Sequence, residues 1–209
     1  MKISEMAARA AAAGLGGLLL AGVAGAAVAA EDPHGDDEVN VTVDIANDAG
    51  ALTLSVAGTT APLTENGSTT TYRQFTGDLP VVAVSDTRSP AQIGANRYWY
   101  VLGQASDFTD GGANTIPAAN LGWTPEIVVP DADGFVAEGP QVGTALDSTP
   151  DVGLVDKELL FTVTEDSESV NANQTEWSAK ASLNLKTTWA QAPGSYSSTL
   201  TLSLWENDI

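Results

Sequence analysis

The chain has no cysteine, one histidine, and only eight lysines and arginines among 209 residues. Each scarcity removes a class of chemistry. Without cysteine there is no disulfide, no thiolate nucleophile and no thiolate metal ligand. The sole histidine, His34, lies in the acidic stretch 31–38 (EDPHGDDE), which has no large apolar residue to pack it. A Ser-His-Asp or Cys-His arrangement needs an imidazole held beside its nucleophile, so those mechanisms are excluded, as are zinc sites built from His and Cys. The eight basic residues face 27 acidic ones, a formal net charge of −19. A surface of that sign repels phosphate polymers, which excludes nucleic acid as a partner. Helical periodicity is also nearly absent beyond residue 30.

What is present begins with the N-terminus. Lys2 and Arg9 precede an apolar, small-residue run over 10–28, closed by Ala27-Val28-Ala29 and broken by Glu31-Asp32-Pro33. This pattern predicts a cleaved secretory signal peptide over 1–30. The Gly and Ala content of the run and its small-residue end favour cleavage over a membrane span, so no transmembrane segment is expected in the mature form. With no cysteine, attachment by an N-terminal lipid is not expected either. Taking Glu5, Lys2 and Arg9 from the totals of 27 and 8 leaves 26 acidic and 6 basic residues. Residues 31–38 read as an acidic flexible leader and residues 39–209 as one domain.

Within that domain strand signals dominate. Val39, Val41, Val43 and Ile45 alternate with polar residues, Asn47 to Gly50 read as a turn, and Leu52, Leu54 and Val56 alternate again. These predict a hairpin near the N-terminus. Further strands are expected at 69–75, 79–84, 97–104, 127–129, 135–136, 159–164, 177–188 and 196–204, with loops at 107–114, 131–150 and 165–173. Short, regularly punctuated strands predict an all-β fold, an antiparallel β-sandwich with one wet face per sheet.

Chemistry is sparse. Asp131-Ala132-Asp133-Gly134 places two carboxylates before a glycine, and Asp107, Asp110 and Asn114 form a looser cluster. Both leave weak calcium binding open, and no other cofactor is implied. Most carboxylates fall in loops. Glu176, beside Trp177, is the best candidate for a paired-carboxylate glycosidase. The five tryptophans, Trp99, Trp123, Trp177, Trp189 and Trp205, are more informative. Trp99 lies in the aromatic strand Tyr98-Trp99-Tyr100. If its ring enters the core, Tyr98 and Tyr100 face the other side of the sheet. Tyr98, Trp99, Tyr100 and Trp123 are the candidate binding residues, because exposed aromatic rings stack on sugars, and Trp189 is a further loop aromatic.

The order of segments adds to this reading. Gly77-Asp78-Leu79-Pro80 precedes Ser85-Asp86-Thr87-Arg88. The strand from Tyr98 to Gln104 then runs on to Phe108, Ile116-Pro117 leads to Gly122-Trp123, and Gly194-Ser195-Tyr196 opens the last strand. Over about 52–204 this order resembles the WxL-domain cell-surface proteins of Gram-positive bacteria, with both W-x-L motifs degenerate. The first reads Trp99-Tyr100-Val101, and the second has Leu202 where Trp is expected. The resemblance implies a secreted, non-enzymatic β protein held non-covalently to the cell wall, alongside wall polymer or other surface proteins. Two alternatives remain: a structural or adhesive subunit assembling by strand addition, with residues 39–45 as donor, and a carboxylate-pair carbohydrate-active enzyme.

Overall fold

The computed structural model describes residues 49–129, 134–148, 152–172 and 174–208. The signal peptide, the acidic leader, the strand expected at 39–45, the start of the turn at Asn47, and Asp131 and Asp133 lie outside the described residues. The described fold is all-β and antiparallel, as the alternation predicts.

One sheet is built around the longest strand, β11 (Glu176–Thr187). Along one side run β3 (Arg73–Asp78) and β4 (Val82–Asp86), and along the other runs β8 (Leu121–Val129). Asp78 opposes Ser182 and Val82 opposes Ala179. Residues 79–81 therefore stand against only two residues of β11. This is a bulge, placed where Pro80 has no amide to offer the ladder. The edge beyond is also interrupted: β1 (Leu52–Val56) pairs with β4 and β2 (Thr64–Glu65) with β3, while residues 57–63 loop out between them. The second sheet has the order β12 (Leu200–Asp208), β5 (Arg97–Ala105), β10 (Glu158–Val163), β9 (Val136–Glu138). A two-residue hairpin, β6 (Phe108–Thr109) with β7 (Thr115–Ile116), completes the strands.

The two sheets share one core. Every second residue of β5 from Trp99 onward is buried. The Trp99 ring meets Phe161 of β10 edge-on at 5.4 Å and Trp177 of β11, in the other sheet, at 5.5 Å. Trp123 of β8 crosses the same space. A Cβ on Gly103 would lie 2.6 Å from its ring, so that position of β5 has room only for glycine. At one end the sheets are tied electrostatically. The fully buried Asp86 takes two bonds from the Arg88 guanidinium, at 2.9 and 2.8 Å. The same guanidinium reaches Glu206 of β12 at 3.0 and 2.6 Å.

Three departures from expectation have local causes. β8 begins at Leu121 rather than Ile127, and its Pro125 is accommodated because, on the side away from β11, the described pairing of β8 is a single bridge from Trp123 to Val142 and does not reach Pro125. Besides the short helix α1 (Pro90–Ile93) after β4, the polar loop after β10 contains a helix, α2 (Ser167–Asn171), whose first turn is capped by the Asp166 carboxylate accepting from the Ser169 amide at 3.1 Å. The last strand starts at Leu200, because Tyr196 donates its hydroxyl back to the Ala192 carbonyl and Ser197 bridges to Thr109.

Candidate functional site

Two of the four expected binding residues are not available to a ligand. Trp99 and Trp123 are 0% and 1% exposed, in the shared core. The expectation that they stack on sugars is corrected: Trp99 is on the inner phase of β5, and Trp123 belongs to a strand rather than a loop. The indole N–H groups of Trp99, Trp123 and Trp177 find no acceptor among the described residues, which fits side chains chosen for volume.

Tyr98 and Tyr100 lie on the phase of β5 opposite Trp99 and are half-buried, Tyr98 packing in part against the core. Register brings a third aromatic to them. Trp205 of β12 stands directly opposite Tyr100, and Asn207 stands opposite Tyr98. Asn207 donates its side-chain amide to the Tyr100 hydroxyl at 2.9 Å. Trp205 is 44% exposed, and the Lys157 ammonium lies 4.2 Å from the centroid of its ring. The segment carrying Lys157 is held against β5 by Gln104, which donates to the Val155 carbonyl at 2.7 Å. Arg73, Arg88, Arg97, Lys180 and Lys186 each pair with a carboxylate. Lys157 instead sits on an aromatic face, and no described carboxylate forms a salt bridge with it. Leu200, Leu202 and Leu204 turn inward, so Trp205 is the aromatic on the polar phase of β12. Its parity with Thr201 and Ser203 is the sequence signal that marks it.

Trp189 is the other exposed tryptophan, 56% exposed. Its indole donates to the Thr69 carbonyl at 3.1 Å, and the Arg73 guanidinium lies 5.7 Å from its ring. Arg73 also pairs with Glu65. That hydrogen bond, with a second from Ser68, holds the Glu65 carboxyl at about 2. The patch is closed by its own pairings.

Among the described residues, the candidates Glu176, Asp107 and Asp110 do not come together in one carboxylate site. Glu176 is exposed at the start of β11 rather than set among apolar side chains. Asp107 accepts from the Ala118 amide at 2.8 Å. Asp110 accepts from the Asn114 side chain at 2.6 Å and the Gly112 amide at 2.8 Å, and those bonds hold its carboxyl below the usual range. These are turn-forming contacts. Among the described residues no group of His, Cys, Asp or Glu is placed to hold a metal ion, and no helix is long and apolar enough to cross a membrane.

A concavity lies between the sheets at the end away from the Arg88 ion triad. It is a groove of about 1060 Å³ floored by Leu54, Leu63, Phe75, Leu183, Leu185 and Leu202. One long side is the segment 191–199 with Leu200 and Leu202 at the start of β12, and the other is the end of β1 with the loop 58–63 that leads to β2. Neither the sequence pattern nor any single motif marks it, because it arises from how far two sheets diverge.

No protein-family model matches the chain, and no curated protein matches it significantly.

Proposed function

We propose that the chain is a secreted, non-enzymatic cell-surface protein that associates non-covalently with bacterial cell-wall polymer, using the outer face of β5 and β12. The observation that carries this reading is the Tyr98, Tyr100, Trp205 cluster with Lys157 beside it. Flat aromatic faces on a rigid antiparallel pair suit stacking against sugar rings, and the amphipathic hydroxyls of the tyrosines suit their polar rims. Lys157 supplies a local positive site for acidic substituents. The rest of the molecule is strongly negative, so that attraction is short-ranged, reaching about 8 Å at physiological salt. The signal-peptide pattern, the missing catalytic His and Cys, and the resemblance to WxL-domain proteins support the same reading.

The test is co-sedimentation with purified Gram-positive cell walls. Wild type is expected to pellet with the walls. Truncating an anchoring aromatic costs above about 1 kcal/mol, so Trp205→Ala or Tyr100→Ala should weaken retention roughly tenfold with melting temperature little changed. A folded wild-type protein that stays in the supernatant, or variants that pellet as wild type does, would remove the basis of the proposal.

A further inference from the structure

We propose that the groove between β12 and the β1–β2 edge receives a β-strand from a second copy of this chain, supplied by residues 39–45. The acceptor side is a free edge beside an apolar trough. The Ser106 amide donates to the Thr199 carbonyl at 2.9 Å. In an antiparallel ladder opposed pairs alternate between bonded and non-bonded, so Leu200, Leu202 and Leu204 turn their backbone groups away from β5. No described residue forms a backbone bond with that edge. The same three leucines point their side chains inward, and Leu200 and Leu202 line the groove.

Charge selects the occupant. Among the described residues no acidic side chain lines this groove. The one charged residue of that described lining, Arg73, is already paired with Glu65. The groove therefore suits a segment with little charge. Residues 39–45 (VNVTVDI) carry a single charge, Asp44. They lie in the 48 residues that precede the described part of the chain. Their apolar side chains recur with period two, the period of a strand. Seven extended residues span about 23 Å and the nine of β12 about 30 Å, so the donor fits along the acceptor edge. Laid there, Val39, Val41, Val43 and Ile45 fill the trough, while Asn40, Thr42 and Asp44 face solvent. Main-chain bonds supply affinity and the alternate side chains supply specificity. Because each copy has one donor and one acceptor, the contact is head-to-tail and propagates.

The test uses the chain without its proposed signal peptide, in molar salt, which shortens the screening length to about 3 Å and suppresses self-repulsion. In sedimentation velocity across a concentration series, wild type is expected to rise to about twice the monomer mass or more. The donor variant Val41→Lys/Val43→Lys and the acceptor variant Leu200→Lys should each stay monomeric, and their equimolar mixture should stop at a heterodimer. Near-UV circular dichroism checks folding. Thr60→Trp, on the exposed loop lining the groove, serves as acceptor variant if Leu200→Lys does not fold. A wild type that is monomeric at every concentration overturns the proposal. So does a donor variant that assembles as wild type does, which would point to two β12 edges pairing directly. Wall co-sedimentation by the monomeric variants separates this inference from the wall-binding one.

Discussion

Trp99 shows how one side chain divides its neighbours between two tasks. Its ring packs on Phe161 and Trp177 with no acceptor for its indole N–H, and that inward phase turns Tyr98 and Tyr100 to the opposite face of β5. Trp99→Ala should cost about 3–5 kcal/mol of unfolding free energy in urea titrations. Trp99→Phe should cost clearly less, because it keeps the edge-on ring contact and removes a buried unpaired donor. Gly103→Ala, adding one methyl against the Trp123 ring, should cost about 1–3 kcal/mol by overpacking, a loss that shortening Trp123 in the same chain should partly relieve. The alternation of Tyr98, Trp99 and Tyr100 was legible in the sequence because period two is a local property. The partner of Tyr100 was not, because it depends on the register of two strands about 100 residues apart in sequence.

At the scale of elements, the two sheets are fastened at one end and open at the other. The fastening is the Asp86, Arg88, Glu206 triad, which joins β4 to β12, while Asn171 of α2 donates to the Arg88 carbonyl at 2.9 Å. Arg88→Met would leave Asp86 buried without its cation, and should cost about 3–5 kcal/mol. The double change Arg88→Met/Asp86→Asn should recover part of that loss, and comparing the two variants in chemical denaturation tests the assignment. Sequence reading placed Asp86 and Arg88 at a strand end and missed the triad, since Glu206 arrives from the far end of the chain. It recognised β1, β5, β10 and β11 because their patterns are regular. It placed only 127–129 of β8, and sheet position shows why Pro125 is tolerated within the longer strand. It missed α2 because a helix of five residues carries no periodic signal.

For the whole molecule, charge is the dominant property. Several carboxyls are held low by specific partners. Hydrogen bonds from Arg73 set Glu65 at about 2, and bonds from Ser169 and its amide lower Asp166. At Asp147, burial pushes the carboxyl up, but the Lys186 ammonium and the Thr144 amide outweigh it. Groups with depressed folded values add stability above their unfolded values and lose it as pH falls through the folded ones. Stability should therefore be flat near neutrality and decline from about pH 5 toward pH 2, as thermal melts across that range would reveal. Net charge acts in the opposite sense at neutral pH, where 27 carboxylates repel one another. Added sodium chloride should raise the melting temperature at pH 7, a trend that would reverse if the surface ion pairs outweighed the repulsion.

The division of tryptophans between core and surface also gives the protein its own optical reporter. Trp99, Trp123 and Trp177 sit in a dry, close-packed interior, whereas Trp189 and Trp205 meet solvent. Their fluorescence should separate into a blue component that resists quenching and a red one that iodide reaches. The close pair Trp99–Trp177 should add an excitonic near-ultraviolet signal that vanishes on unfolding. A molecule settling on Trp205 would alter the red light alone, and loss of the fold would extinguish the excitonic band, so occupancy and integrity can be read from one cuvette without a label.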